Sequence, residues 1–346
     1  MLKWFEKTDK NMPNAICSRI RLVRNLQEYP FPGRLSDDDA VEMIQKLKKG
    51  LKDLPDKDGS DYEYIALNQV SDLERRALKE RRLLNDTLEK KKEPSGMIVS
   101  EDESVSLVLN GDDHIRMQFM APGLCLKELW NQADKMDNYI NERFPYAYDE
   151  KYGYLTTYPT NVGTGLRASV LIHLPTLSKG KKFNSLLGEM SRFGTRIQGV
   201  CGEGDENYGS LYIISNQKTL GVSEEEIADM VSRVAAQLDS QENKVRSMAL
   251  AAHKMERADE AYKSFGVLKY ARRLSWKDAQ EFLSSVMTGL SDGLLEFKEP
   301  LSIYKVMLGM QTANLQKLSE RPLSKDELDI ARAAYIRNAL PELKQP

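Results

Sequence analysis

Tyr158-Pro159-Thr160-Asn161-Val162-Gly163-Thr164-Gly165-Leu166-Arg167-Ala168-Ser169-Val170 is a Gly-rich loop that runs through one arginine into an apolar strand. Pro159 stiffens its entry, and Gly163 and Gly165 free the backbone for close approach to a ligand. Arg167 stands just before a strand expected over residues 168–174, where its guanidinium can grip phosphate from a rigid base. A loop of this kind marks an anion site about as often as it is only a turn, so its meaning depends on what surrounds it.

Outward from the loop, short strand patterns are expected over residues 62–67, 96–100, 105–109, 114–120, 153–157, 195–200 and 210–215. The alternation in Arg116-Met117-Gln118-Phe119 marks a sheet with one face buried. Asn110-Gly111-Asp112-Asp113 reads as a hairpin turn between two of these strands. Helices are expected over residues 37–51, 72–84, 124–143 and 177–192, the first capped by Ser36 with Asp37, Asp38 and Asp39 at its positive end. From Ser223 the pattern changes. Ser223-Glu224-Glu225-Glu226 is a capping box, and a helical stretch without Gly or Pro follows to about Tyr262. Three more helical segments are expected over residues 276–289, 301–318 and 325–340, the last after Pro322 with Ser324 as N-cap. No strand is expected beyond residue 215. The chain reads as a mixed α+β domain followed by an all-helical one, with the boundary near residues 243–262.

Composition narrows the classes. The 346 residues carry a net charge of −2, which points to neither nucleic acid nor a membrane surface by bulk electrostatics. No apolar run reaches the roughly 18 residues of a spanning helix, and the N-terminus opens no secretory segment. Cys17, Cys125 and Cys201 lie far apart without metal-ligand spacing, as do His114, His173 and His253, which suits a reducing cytosol and suggests no metal held by the protein.

Other stretches join the opening loop. In Ser18-Arg19-Ile20-Arg21, an extended segment would point both arginines the same way. Arg116 follows the Asn110–His114 turn, and Gly199-Val200-Cys201-Gly202-Glu203-Gly204 places a carboxylate in a glycine-rich stretch. With Ile214-Ser215-Asn216-Gln217 and Leu220-Gly221, these segments resemble those of the ATP:guanidino phosphotransferases, the phosphagen kinase family, and most of all its bacterial protein arginine kinase branch. The resemblance implies an α+β fold, an antiparallel sheet flanked by helices over residues 1–250, followed by a helical dimerisation domain over residues 251–346. It implies transfer of the γ-phosphoryl of ATP, with Mg²⁺, to arginines exposed on protein substrates in the cytoplasm. A homodimer and an activator protein are the partners implied.

That chemistry has three requirements: triphosphate charge must be neutralised, the reactants aligned in line, and a proton removed from a group with a pKa above about 12. By resemblance the nucleotide falls on Ser18, Arg19, Ile20, Arg21, Arg116, Arg167, Ala168, Ser169, Val170, Gly199 and Gly202. The substrate carboxylates fall on Asp112 and Glu203. A C-terminal phosphoarginine-binding element falls on Asp329 and Arg332.

The chain also departs from the family. Asp112 is one methylene shorter than the family's glutamate and follows Gly111; Tyr158 replaces a cysteine, Gln198 and Leu328 replace arginines, and Arg82 replaces a histidine. Misplacement by about 1 Å costs on the order of 10²-fold, and one lost electrostatic stabiliser roughly 10²–10³. A second reading therefore stands beside the kinase: a degenerate, weakly active or inactive pseudokinase that binds nucleotide or arginine-rich partners in a regulatory role. Taken singly, Asp112 reads as a turn-former, His114 and His173 as packed side chains, and Arg332 and Arg337 as a solvated helix face.

Overall fold

Within residues 15–24, Ile20 and Leu22 are fully buried in the main core, while Arg19 and Arg21 on either side of Ile20 are only half-buried. In this computed structural model, which describes residues 1–7, 12–200 and 207–344, the segment is strand β1 (Ala15–Arg24). It is followed along the chain by β2 (Tyr62–Ala66), β3 (Gly96–Ser100), β4 (Val105–Leu109), β5 (Ile115–Pro122), and, after the short β6 (Tyr148–Asp149) and β7 (Gly153–Tyr154), by β8 (Leu166–His173). The series ends with β9 (Thr195–Gly199) and β10 (Leu211–Asn216). Among the described residues, eight of them form one sheet in the order β2-β3-β4-β5-β1-β8-β10-β9, antiparallel throughout; β6 and β7 pair separately. Within this segment the sequence marks only residues 18–21 as extended, and the structure makes residues 15–24 a central strand of the sheet.

The helices are α1 (Asp37–Gly50), α2 (Pro55–Asp58), α3 (Asp72–Glu80), α4 (Asp86–Lys90), α5 (Leu126–Asn141), α6 (Phe183–Ser191) and α7 (Glu224–Ala252). The C-terminal set is α8 (Lys254–Tyr270), α9 (Trp276–Ser291), α10 (Ile303–Gly309), α11 (Thr312–Gln316) and α12 (Lys325–Ala339). One sheet face is buried under α1, α5 and α7 through residues such as Met43, Leu47, Ala133, Ile140, Val231 and Leu238. The other face is covered in two places. Leu78, Leu83 and Leu88, from α3, α4 and the link between them, pack on Met97, Val99 and Val108. The C-terminal helices, together with Trp4, pack on Cys17, Met120, Leu171 and Leu211. A polar strip of sheet lies beside these covers. Among the described residues no helix is long and apolar enough to cross a membrane.

Several expected elements are shorter than their patterns. The helix expected to reach residue 84 stops at Glu80, because Arg82 turns left-handed (φ 70°). The Leu83 N–H then bonds the Leu78 carbonyl (3.0 Å) and the Arg82 N–H the Lys79 carbonyl (2.9 Å), a Schellman closure with an arginine where glycine is usual. The expected helix 301–318 is broken at the extended Gln311, and 177–192 is a short 3₁₀ turn followed by α6. The strand expected over 153–157 keeps only Gly153–Tyr154. The long helix after Ser223 breaks at His253 and resumes as α8.

Candidate active site

Directly opposed residues of an antiparallel pair share a face, so the register determines what the polar strip contains. Arg21 of β1 lies opposite Gln118 of β5 and Arg167 of β8. One step along, Arg19 faces Met120 and Ser169; Ser169 faces Ser215, and Ser215 faces Arg196. On the far side Val23 lies opposite Arg116. Arginines separated by up to 177 positions, Arg19 to Arg196, therefore stand on one face of the sheet. Gln198 joins them opposite Ile213 at the edge.

Among the described residues, these cations are held without enough acceptors. Arg19 Nε donates to Ser169 Oγ (3.1 Å), Arg167 Nη1 to the Asn216 carbonyl (3.0 Å) and Arg116 Nη2 to the Leu83 carbonyl (2.5 Å). Arg116 is 5% exposed, and its Nε finds no partner among the described residues. Burial, then the neighbouring Arg21 and Arg82, push Arg19 down to about 10. Burial, then Arg116 and Arg167, do the same to Arg21, against the pull of Asp112 and Asp113. Arg116 falls to about 10 through burial and Arg19, and Arg167 is lowered by burial and Arg196. All remain charged at neutral pH. The shifts record desolvation and mutual repulsion, which a polyanion on this face would relieve.

The Asn110–His114 turn is the expected hairpin, with Asn110 left-handed (φ 54°). Asp112 is half-buried; Asn85 Nδ2 donates to its Oδ2 (2.8 Å), and Lys91 Nζ donates to the Gly111 carbonyl beside it (2.9 Å). Its charge reaches Arg21 and Arg116. Asp113 faces inward instead: its Oδ1 accepts from Asn25 Nδ2 (2.8 Å) and the Thr157 N–H (2.7 Å), and burial raises its pKa. His114 is packed, its Nδ1 accepting from the Leu26 N–H (3.0 Å), so Nε2 carries the proton and donates to the Pro30 carbonyl (2.9 Å). His173 is packed as well, with Nε2 2.8 Å from Ser284 Oγ on α9.

The glycines of the 158–170 loop serve the chain's own packing rather than the ligand approach that the sequence suggests. Gly163 (φ 109°) and Gly165 (φ 62°) do give close approach, but to the chain itself. A Cβ on Gly163 would sit 2.2 Å from the Thr219 carbonyl oxygen, and one on Gly165 would sit 2.5 Å from Arg24 Nη1. Arg24 is the buried pin: Nη2 meets Asp137 Oδ2 of α5 at 2.6 Å, Nη1 donates to the Val23 and Thr164 carbonyls (2.9 Å each), and the guanidinium stacks 3.6 Å from the Tyr154 ring. Asn216 braces the strand end, its Oδ1 accepting from the Ala168 N–H (2.9 Å) and its Nδ2 donating to the Leu166 carbonyl (3.0 Å). Tyr158 is exposed.

Of the residues expected on the nucleotide, Arg19, Arg21, Arg116, Arg167 and Ser169 share the polar face. Ile20, Ala168 and Val170 point into the core beneath it. Ser18 is buried and donates to the Gly123 carbonyl (2.9 Å). Gly199 ends β9, opposite Tyr212. Gly202 and Glu203, with Cys201, lie outside the described residues. Asp329 and Arg332 lie apart, on α12. Arg332 is 2% exposed, so the solvated-face reading is wrong: its Nη1 meets Asp329 Oδ1 (2.6 Å) and the Leu274 carbonyl (3.0 Å). Arg337 likewise donates to the Ala271 carbonyl (2.5 Å). Sequence reasoning missed Arg24, Asn85, Lys91 and Asp137, whose partners lie far away in the chain; only Asn216 fell within a stretch already singled out.

Comparison with known proteins agrees with this geometry. Residues 42–245 match the family described as ATP:guanido phosphotransferase, C-terminal catalytic domain, and residues 254–346 match the protein-arginine kinase McsB C-terminal domain. The chain is 36% identical over 327 residues to a protein-arginine kinase of Halothermothrix orenii, covering 94% of this chain and 93% of that protein. It is 37% identical to those of Bacillus subtilis (97% and 93% covered) and Clostridium acetobutylicum (98% and 100%). Among solved structures, a lombricine kinase shares the fold at TM-score 0.59 and 22% identity, over 72% of this chain and 70% of that one. A duplicated taurocyamine kinase of Schistosoma mansoni shares it at TM-score 0.58 and 24% identity, over 70% of this chain and only 34% of that longer one. The row of arginines on an antiparallel sheet, the helical C-terminal part and the near-full-length likeness converge, and the chain belongs to the ATP:guanido phosphotransferase family, among its protein-arginine kinases.

Proposed function

We propose that this protein transfers the γ-phosphoryl group of ATP to arginine side chains of other proteins. The observation that carries the reading is the cross-strand cluster of Arg19, Arg21, Arg116 and Arg167, short of acceptors among the described residues, with the charge of Asp112 reaching Arg21 and Arg116. The cluster fits a polyphosphate: it offers convergent guanidinium donors, one of them the orphaned Arg116 Nε. Mg²⁺ would arrive as the nucleotide complex, using water and phosphate oxygens as most of its ligands.

In the reaction, a guanidino nitrogen of the acceptor attacks the γ-phosphorus, an N–P bond forms, and the bond to the β,γ-bridging oxygen breaks, with ADP leaving. The nitrogen loses one proton, which Asp112 is positioned to accept, with Glu203 assigned by family likeness as the second carboxylate on the guanidinium. The arginines neutralise charge on the transferring group and the departing ADP. Gly111 gives the shortened Asp112 freedom of backbone to reach its target.

Residues 1–250 act as the catalytic part and 251–346 as a helical domain for assembly, where Met255, Tyr262 and Tyr270 of α8 are exposed. We assign the protein to the cytoplasm as a homodimer, open to an activator protein, and give Asp329 and Arg332 a structural task. The test is phosphoarginine formation on an arginine-rich protein with Mg²⁺-ATP, read by mass spectrometry. Wild type should label, Arg116→Ala should lose labelling by about 10²-fold or more, and Asp112→Asn should abolish it. Robust labelling by Asp112→Asn would overturn the carboxylate assignment, and none by wild type would overturn the activity.

A further inference from the structure

The C-terminal helices touch the catalytic part at a place with direct lines into the site. Glu80, the last residue of α3, receives three hydrogen bonds from α11: Oε1 from the Ala313 N–H (2.8 Å), Oε2 from the Asn314 N–H (2.9 Å) and from Asn314 Nδ2 (2.9 Å). The chain then makes its left-handed turn at Arg82, whose carbonyl accepts from Gln118 Nε2 (2.8 Å) in the row of Arg21 and Arg167. The next carbonyl, Leu83, accepts from Arg116. Two residues on, Asn85 donates to the Asp112 carboxylate. Six consecutive residues thus connect the C-terminal domain, the floor of the arginine cluster, one of its arginines and the candidate proton acceptor. Tyr304 of α10 is a second point of approach, lining a small cavity with Arg19, Arg82 and Ser169.

We propose that residues 80–85 are a strap by which the C-terminal helical domain sets the active-site geometry, with Glu80 as the positioning residue at its outer end. This rests on the site assigned above and adds how that site is held. The apolar packing of Leu78, Leu83 and Leu88 fixes α3 and α4 on the sheet, but it does not set where the carbonyls of Arg82 and Leu83 point. A helix end closed by arginine rather than glycine in the left-handed region costs roughly 1 kcal/mol, so the turn needs outside bonds to persist. Glu80 supplies them at one end, Gln118 and Arg116 at the other. Burial raises the pKa of the Glu80 carboxyl, the group whose two oxygens are met by the three donors of α11.

The test uses the full chain with Glu80→Gln, which sets an amide N–H₂ against N–H donors, and Asn314→Ala, which removes one donor from the other side. Lys317→Ala is the control: Lys317 pairs with Glu74 at 2.5 Å across the same α3–α11 contact but outside the strap. Hydrogen exchange without ligand, the Kd for Mg²⁺-ATP, and kcat and KM for labelling are measured on each. Glu80→Gln and Asn314→Ala should keep the melting transition and speed exchange at residues 81–85 and 110–114. They should also weaken ATP binding and lower kcat by about 10-fold each, short of the roughly 10² of a 1 Å misplacement. Lys317→Ala should match wild type. Wild-type exchange and ATP binding in a folded Glu80→Gln or Asn314→Ala, or equal losses in Lys317→Ala, would overturn the strap. An unlabelled acceptor with faster exchange at 110–114 would keep the strap and sink only the assigned reaction.

Discussion

Arg24 is the residue whose removal should cost most, though its side chain lies buried beneath the site face. It is 1% exposed, and its partner Asp137 is nearly as buried. Replacing it by methionine keeps most of the bulk but leaves the Asp137 carboxylate facing no cation and frees the Val23 and Thr164 carbonyls. Breaking a buried pair from one side costs about 3–5 kcal/mol, because the surviving charge stays desolvated. The stacking on Tyr154 contributes on the order of 1 kcal/mol more. Because these terms overlap, about 4 kcal/mol is expected, read as a shift in urea midpoint at unchanged slope. Arg24→Met/Asp137→Leu should recover most of it, since no buried charge remains, giving a coupling energy of roughly 2 kcal/mol or more. The loop carbonyl of Thr164 also loses its anchor, so Mg²⁺-ATP should bind Arg24→Met about 10-fold more weakly in calorimetry, by the logic of small misplacements. A loss below about 1 kcal/mol, or a double variant no better than Arg24→Met, would refute the idea that this pair pins the loop.

Gly163→Ala forces a Cβ to 2.2 Å from the Thr219 oxygen at a left-handed φ, and should lower the unfolding free energy by roughly 3 kcal/mol or more. Gly33→Ala, with open space around it, should change little, and equal effects would void the argument. Burial holds His114 down to about 4 and His173 down to about 3, below their ordinary 6.5. The unfolded chain therefore binds more protons between those values, and stability present above pH 6.5 should fall as pH drops through 4, by up to ~1.4 kcal/mol per pH unit per histidine. Denaturant titrations at pH 7 and 5 read this, and a stability flat over that range would contradict it. Gln198→Arg adds a cation on the site face near Arg196 and should tighten Mg²⁺-ATP about 3- to 10-fold at low salt, less at high salt; unchanged or weaker binding would show that position 198 lies out of the nucleotide's reach.

Much of this molecule is local in origin. The Asn110–Asp113 turn and the serine caps at 36, 223 and 324 depend on neighbours a few positions away, and the structure keeps them; residues 115–120 do form a strand, but the one buried face expected from their alternation becomes two, because the helical covers also bury Arg116 and Gln118. The site arginines were legible because motif wording survives in sequence, even where Asp112 and Gln198 depart from it. The rest was not local. Nothing within residues 15–24 says that they pair with both β5 and β8, yet that pairing brings Arg19, Arg21, Arg116 and Arg167 together. Arg24 and Asp137 lie 113 positions apart, and each alone reads as a surface charge. Arg332 reads as solvated until α8, α9 and α10 close around it. The α3 pattern runs on past Glu80, where long-range bonds to α11, Gln118 and Arg116 accompany the turn. Sequence by itself determined most of the elements, though not all of their ends, and the chemistry available to them, since periodicity and caps act within one or two turns. Tertiary structure alone decided which charges are buried, paired or left waiting for a ligand, because desolvation and hydrogen bonding depend on what packs against a residue rather than on what precedes it.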